Sequence, residues 1–336
     1  MLLALLAALA LLVGGTGLLL KGADWFTDGA TDLARALGVS ALFIGIVLAG
    51  LEPEEMLTAA IASARGAGDL ALGDIVGTNI TIVLAALGLA AIILPFTIDR
   101  GVRVQAMIAT LASVPPILLL YTGVISRLEG ALLLLLFAVY SVVLLRVDRQ
   151  ALARQAAAEQ LEREELEEIK EHDALAERDQ VEGMVEGEGR GALVARTLVG
   201  LVAMAVGGPI LVEGALRLTA ALGLRQASVG LTIVALGTGA EMLALAVVAA
   251  RRKQADILVG GILGSLAYNL LVTLGLAAVV RPIPVDPGIL QVAMPVMIVA
   301  HLLLLVVIWR GRMGRLLGAL FLAGYVAYLV VVLWRG

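Results

Sequence analysis

Long apolar runs dominate this chain and alternate with short stretches that carry its charges. Ten of the runs are long enough to cross the hydrocarbon core of a membrane, which is about 30 Å thick. They lie at about residues 1–20, 40–64, 71–94, 104–122, 129–146, 192–218, 227–250, 257–280, 289–309 and 315–334. The pattern predicts an all-α integral membrane protein with about ten transmembrane helices.

Two of these spans contain residues that disfavour a continuous helix. The second span has glycine and proline at residues 50–53, and the seventh has two glycines at residues 237–239. Both residue types weaken a helix interior, so each span is predicted to break near its middle. Broken helices expose backbone carbonyls and helix ends inside the membrane, a frequent way to build an ion site in transporters. A simple packing kink is the alternative.

The two halves of the chain repeat one another. One set of residues recurs 185 positions later (Gly22, Gly29, Gly38 and Gly45), and a second set recurs 187 positions later (Asp69, Gly73, Gly77, Leu87, Gly88 and Pro95). Each half contains five predicted spans, and since five is odd the second copy must cross the membrane in the opposite sense. The predicted organisation is two inverted five-helix repeats, residues 1–147 and 191–336, joined by a linker at 148–190.

The charge distribution predicts how the chain is oriented. Lysine and arginine cluster after the odd-numbered spans, at Lys21/Arg35, Arg100/Arg103, Arg146/Arg149/Arg154, Arg251/Arg252/Lys253 and Arg310/Arg312/Arg315. Basic loops stay in the cytoplasm, so both termini are predicted outside an inner cell membrane and the linker inside. The linker holds 14 acidic and 6 basic residues. This composition predicts a solvated connector, and a regulatory cation sensor is the alternative.

Composition excludes several classes of protein. A chain that is 61% apolar with a mean hydropathy of +1.02 is not a soluble globule. It contains no cysteine, so a disulfide framework and a thiolate metal site are both impossible. The arginines are scattered at segment ends, which gives no reason to expect nucleic acid as a partner. Trp309 and Trp334, each beside an arginine, are predicted to anchor helices at the lipid interface.

Two glutamates occupy matching positions inside the interrupted spans. Glu55-Met-Leu in the first copy is mirrored by Glu241-Met-Leu in the second, and no basic residue lies between the ends of either span. A carboxylate inside a membrane is costly unless a cation or a proton neutralises it. The pair therefore predicts a cation site where the two halves meet. Pairing of each glutamate with a nearby arginine is the alternative.

Other oxygen-bearing side chains accompany these glutamates. Hydroxyl and amide oxygens suit hard cations such as Ca²⁺, and the further candidate ligands are Thr78, Asn79, Thr238, Ser265 and Asn269. Glu52 is the next choice, because on a regular helix it would share the face of Glu55. Glu54 is a candidate to cap freed backbone amides. Asp74, which stands opposite Gly261, is a weaker candidate for approaching the cation.

These residues resemble the cation/calcium exchanger superfamily, which includes sodium/calcium and proton/calcium antiporters. The resemblance covers both repeats and rests on strings such as Asp69-Leu-Ala-Leu-Gly-Asp-Ile-Val-Gly-Thr-Asn79, Gly237-Thr-Gly-Ala-Glu241 and Gly264-Ser-Leu-Ala-Tyr-Asn269. It implies ten helices in two inverted halves, with Glu55 and Glu241 binding the transported cation. It also implies a secondary transporter rather than an enzyme, with no cofactor beyond the transported ions. Calcium or a similar divalent cation would be exchanged for protons or sodium by alternating access.

The chain departs from the family pattern in its first half. Sodium/calcium members typically show Gly-Thr-Ser-x-Pro-Glu in both halves, whereas this sequence reads Gly50-Leu-Glu-Pro-Glu-Glu55. Carboxylates thus replace hydroxyls, which removes sodium ligands, adds groups that take protons, and slightly favours protons as the counter-ion. In the second half Met242 stands where proton/calcium members usually carry a histidine. A sodium/proton or other cation exchanger of the same fold is the alternative function, and a passive channel or an intramembrane hydrolase is a more remote one.

Overall fold

The computed structural model describes residues 2–36, 52–98, 102–144, 146, 190–252 and 255–335. Within that part of the chain, eight helices are long and apolar enough to cross a membrane. The other two predicted spans are the interrupted ones. Residues 37–51, which include the start of the first interrupted span, and residues 147–189, which include nearly all of the predicted linker, lie outside the described residues.

The helices confirm the predicted all-α membrane fold. In the first half they are α1 (Leu2–Ala36), α2 (Pro53–Ala64), α3 (Gly68–Ile93), α4 (Val102–Leu120) and α5 (Arg127–Leu144). In the second half they are α6 (Arg190–Leu222), α7 (Gln226–Thr238), α8 (Ala240–Arg252), α9 (residues 255–280), α10 (Ile289–Arg310) and α11 (Arg315–Arg335). The predicted break in the seventh span is present, because α7 ends and α8 begins on either side of Gly239.

Within the described ranges, four helices contain a π-helical turn that the hydrophobic pattern does not predict. These turns lie at Thr81–Ala86 in α3, Gly230–Val234 in α7, Asn269–Thr273 in α9 and Ile289–Ala293 in α10. The turns in α3 and α9 occupy corresponding positions of the two repeats. Such turns loosen the regular backbone hydrogen bonding and are frequent at functional sites.

Packing of α1 against α6 shows the inverted relation of the two halves. These are the first helices of the two repeats, and a side chain on Gly15 would meet Leu211, whereas one on Gly29 would meet Thr197. Rising residue numbers in α1 therefore meet falling numbers in α6. The two helices run antiparallel, as an inverted repeat requires.

Glycines at every seventh position let α1 and α6 pack closely together. The seam consists of Gly15, Gly22 and Gly29 of α1 and Gly200, Gly207 and Gly214 of α6. A Cβ atom added to any of the six would come within 2.4 to 2.9 Å of an atom of the opposing helix. Small residues let helix backbones approach in a membrane, where packing rather than exclusion of water holds helices together.

Two short antiparallel ribbons join the halves at the ends of the helices. β1 (Phe96–Thr97) pairs with β4 (Arg312–Met313), and β2 (Val124–Ile125) pairs with β3 (Ile283–Pro284). The strand β3 is the repeat copy of β1, and β4 is the copy of β2. Because the copies are inverted, the two ribbons lie at opposite ends of the molecule.

The glycine seam predicts a position-specific effect of adding a side chain. We expect Gly200→Leu to lower the free energy of unfolding by about 1–3 kcal/mol, as overpacking of a well-packed contact does, because its Cβ would lie 2.4 Å from the Phe26 backbone nitrogen. The matched control is Gly17→Leu on α1, where a Cβ meets nothing within 4 Å. Thermal unfolding of the purified protein in detergent measures both. Equal melting temperatures for the two variants would show that the α1–α6 contact is not close.

Candidate cation site

Three glutamates are buried at the amino-terminal end of α2. Glu52 precedes the helix in a non-helical conformation (φ −110°, ψ 73°), and Glu54 and Glu55 lie in its first turn. Their exposed fractions are 4%, 1% and 2%. Pro53 opens the helix, at a position where its missing N–H has no intrahelical acceptor to lose. The partial positive charge of this helix end stabilises the negative charges beside it.

Asp74 of α3 adds a fourth buried acid to this cluster. It is 2% exposed, and it repels Glu55 together with Glu52 and Glu54. The carboxyl groups of Glu55 and Glu52 lie close to one another. Among the described residues, no lysine or arginine forms an ion pair with Glu55 or Asp74, so nothing in that part of the chain supports the arginine-pairing alternative.

One contact between the repeats joins α2 to α9. The hydroxyl of Ser265 donates to the Glu52 carboxylate, at 2.6 Å from Oε1 and 2.7 Å from Oε2. Ser265 is fully buried. The part of α9 that follows the π turn packs against α2. Two predicted site residues from different halves thus meet here.

A second contact between the repeats joins α3 to α7. The hydroxyl of Thr238 lies 2.9 Å from Asp74 Oδ1 and donates to it, and it lies 3.2 Å from the hydroxyl of Thr78. Thr78 is also 3.5 Å from Asp74 Oδ1, one helical turn away on α3. Close packing makes this possible, because a Cβ on Gly77 would lie 2.5 Å from the backbone oxygen of Leu231 in the π turn of α7.

Three buried oxygens on these elements have no hydrogen-bond partner among the described residues. They are Thr58 Oγ1, Asp74 Oδ2 and Asn79 Oδ1. The side-chain nitrogen of Asn79 donates to the backbone oxygen of Ile75 at 2.7 Å, which leaves its oxygen available. A buried polar atom without a partner is costly. A bound cation would satisfy such oxygens directly.

Asn269 is placed differently from the other predicted ligands. It lies fully buried at the start of the π turn in α9, and its Oδ1 accepts a hydrogen bond from Thr273 at 3.3 Å. Among the described contacts, none joins Asn269 to the buried acids. Its role as a ligand stays a prediction.

Glu241 stands in the first turn of α8, immediately after the break at Gly239. Its side chain is outside the part of the chain that the structure describes, so its approach to Glu55 stays a prediction. The backbone break itself lies beside the site, since a Cβ on Gly239 would be 3.4 Å from the Thr78 side chain. Repeat-related helices make equivalent contacts: α8 packs against the π turn of α3, and α2 packs against the π turn of α9.

Acidic side chains alone do not enclose a metal ion in this structure. In the described part of the chain, no three histidine, aspartate or glutamate side chains come together as a metal cage. A cation held here would therefore also need hydroxyl, amide and carbonyl oxygens. Ca²⁺, which takes six to eight oxygen ligands, accepts such a mixed set.

Sequence reasoning gives little or no weight to three residues that the structure places at or next to the site. Asp74 was ranked below the glutamates, yet it contacts Thr238 of the other repeat, and its spacing of four from Thr78 already put both on one helix face. Thr58 was not singled out, although it lies four residues after Glu54. Tyr268 was also missed: it is buried, and its hydroxyl lies 3.4 Å from the Met56 sulfur.

Comparison with known proteins covers nearly the whole chain. Residues 7–146 and 192–334 match the family described as sodium/calcium exchanger protein. The chain is 31% identical over 337 residues to inner membrane protein YrbG of Escherichia coli (strain K12), with 98% of each protein covered. It is 28% identical over 355 residues to sodium/calcium exchanger MaX1 of Methanosarcina acetivorans, covering 96% of this chain and 98% of that one.

The fold has a counterpart of known structure. The sodium-calcium exchanger NCX_Mj, soaked with Na⁺ and Sr²⁺, superposes with a TM-score of 0.62 at 25% identity, covering 97% of this chain and 99% of that one. Members of the family are transporters rather than enzymes. The chain is therefore a multi-pass membrane protein that belongs to the sodium/calcium exchanger family of cation antiporters.

Proposed function

We propose that this antiporter moves Ca²⁺, or a divalent cation of similar size, across the membrane in exchange for protons. The observation that carries the proposal is the buried cluster of Glu52, Glu55 and Asp74, which the hydroxyls of Ser265 and Thr238 reach from the opposite repeat. Family membership makes the protein a cation antiporter. The identity of the two ions is the proposed part.

Charge favours a divalent cation over a monovalent one. Several carboxylates share one buried region, and each would leave a net negative charge in a poorly solvated place unless neutralised. A doubly charged ion cancels two of them at once. The oxygen ligands that would surround it are Glu55, Glu241, Glu52, Asp74, Thr78, Asn79 and Thr238, with Ser265 and Asn269 nearby.

The same carboxylates also explain coupling to protons. The charge of a buried carboxylate is neutralised either by a bound cation or by a proton. The two states exclude one another, so binding of one ion requires release of the other. The closeness of Glu52 and Asp74 to Glu55 supports this proposal, because neighbouring carboxylates favour neutralisation of one another by either ion.

Sodium is the second candidate counter-ion. The hydroxyls of Thr78 and Thr238 lie 3.2 Å apart, and hydroxyl oxygens also suit Na⁺. The relative MaX1 and the structure NCX_Mj are both named as sodium/calcium exchangers. Against sodium stands the loss of two hydroxyl positions in the first half, where this chain has Leu51 and Glu52.

The geometry of the halves supports alternating access as the proposed mechanism. The first helices of the repeats run antiparallel, and contacts between the repeats converge on one buried region. Two inverted halves that meet at a central site can open it to one face and then to the other. We further propose that the protein lies in an inner cell membrane with both termini outside and the linker cytoplasmic, as its basic loops predict.

Ion identity can be tested by uptake of calcium into everted membrane vesicles. We expect an inside-acid pH gradient to drive uptake, since protons leaving the vesicle would be exchanged for entering Ca²⁺. An outward sodium gradient, made by diluting sodium-loaded vesicles into sodium-free buffer, should drive little calcium uptake. Uptake driven by sodium alone would overturn the proton assignment, and no uptake under either gradient would overturn calcium as substrate.

Replacement of the two repeat-related glutamates tests the site. Glu55→Gln and Glu241→Gln should each lower calcium uptake by at least about 30-fold, because loss of one buried charged partner costs about 2–5 kcal/mol. The control is Glu213→Gln, whose carboxylate is an exposed partner of Arg65 and Arg217. Surface ion pairs contribute little, so this variant should transport normally. Wild-type uptake by Glu55→Gln would place the site elsewhere.

Convergence of the repeats can be tested by cross-linking, because the natural chain has no cysteine. The Thr78→Cys/Thr238→Cys double variant should form a disulfide under oxidation, since the two hydroxyl oxygens are 3.2 Å apart and sulfur atoms would occupy their places. After cleavage at a protease site inserted in the linker, the halves should stay joined until reduced. The single-cysteine variants are controls. Halves that separate before reduction would contradict the α3–α7 contact.

A further inference from the structure

A groove with one basic and one apolar end runs along the first half of α11. Its wider end is a cavity of about 870 Å³ beside the β1–β4 ribbon, lined by Arg310, Arg312 and the first residues of α11. A second cavity of about 480 Å³ lies between α10 and α11. Leu317 and Leu320 line both cavities, so the two cavities adjoin along α11 and are together called the groove.

The wide end is basic and has no acid to balance it among the described residues. Arg310 and Arg312 line it, and neither forms an ion pair with a described acidic residue. Arg103 stands nearby, with its guanidinium 5.5 Å from the Trp309 ring and donating to the Trp309 backbone oxygen at 2.7 Å. The opposite ribbon differs, because Arg225 there is paired with Asp286.

The start of α11 adds to the attraction for an anion. Gly314, Leu316 and Leu317 line the cavity, so the first turn of this 21-residue helix borders it. Backbone N–H groups in a first helical turn have no intrahelical acceptor and carry partial positive charge. A phosphate group placed in this cavity would therefore meet both arginine side chains and free backbone donors.

The narrow end is suited to a hydrocarbon chain. It is lined by apolar residues such as Val299, Leu303 and Phe321 and reaches Leu84 in the π turn of α3. Trp309 is 56% exposed next to the basic end, the position of an anchor at the lipid interface. The groove thus passes from a charged rim into an apolar interior, in the same order as a phospholipid.

We propose that this groove is a specific binding site for an anionic phospholipid. The phosphate of the headgroup lies between Arg310, Arg312 and the first turn of α11, and one acyl chain lies in the cavity between α10 and α11. A basic pocket between transmembrane helices at the predicted cytoplasmic face is a recognised setting for such lipids.

The test uses the purified full-length protein in detergent, with lipid retention measured by native mass spectrometry and stabilisation by thermal unfolding. Phosphatidylglycerol should bind and raise the melting temperature, whereas phosphatidylcholine and inorganic phosphate should not. Arg310→Gln/Arg312→Gln should weaken phosphatidylglycerol binding by about 25-fold, since each arginine near an anionic lipid contributes about fivefold. Each variant is compared with its own lipid-free melting temperature.

Two further variants separate the charge from the groove. Arg127→Gln is the matched charge control, because Arg127 begins α5 at the opposite ribbon as the repeat counterpart of Arg315, and its lipid binding should equal that of the wild type. Gly324→Leu should weaken binding by filling the groove, since a Cβ there meets nothing within 4 Å. The proposal would be overturned if phosphatidylcholine bound as tightly as phosphatidylglycerol. It would also be overturned if the double arginine variant and Gly324→Leu both bound phosphatidylglycerol as the wild type does.

Discussion

Neutralisation of buried carboxylates is the constraint on which the structure of this protein depends. Glu52, Glu54, Glu55 and Asp74 are each nearly inaccessible to solvent and lie close enough to repel one another. The fold compensates them in part, through the amino-terminal end of α2 and the hydroxyls of Ser265 and Thr238. In the proposed mechanism an ion from outside the protein completes the compensation, so that a structural cost would become the basis for transport.

Inverted repetition explains why these groups come from both halves. Each half supplies a helix with a π turn that packs against a helix of the other half. The second half meets the first in antiparallel register, so Ser265 reaches Glu52 and Thr238 reaches Asp74. Glycine makes the approach possible, since a Cβ on Gly77 or Gly230 would lie within 2.5 Å of a backbone oxygen of the other helix.

The two copies are not identical, and the differences concern charge. The first copy carries Glu52, Glu54 and Asp74, where the second has uncharged residues such as Gly239 and Gly261, and the second copy supplies hydroxyl donors. A twofold scaffold therefore holds an asymmetric site. A similar asymmetry separates the ribbons: at one, Arg310 and Arg312 form no ion pair with a described acidic residue, while at the other Arg225 is paired with Asp286.

Local pattern determined the helical membrane fold, the spans and the helix break at Gly239, because apolar run length and glycine act within one segment. The repeat and the count of spans were enough to predict inversion, which the antiparallel α1–α6 pair bears out. Hydrophobic pattern said nothing of the π turns or the ribbons, which depend on hydrogen bonds and contacts beyond a single helix. The contacts of Asp74 with Thr238 and of Glu52 with Ser265 were decided by tertiary structure alone. They join residues 164 and 213 positions apart, and such distances are set by how helices cross.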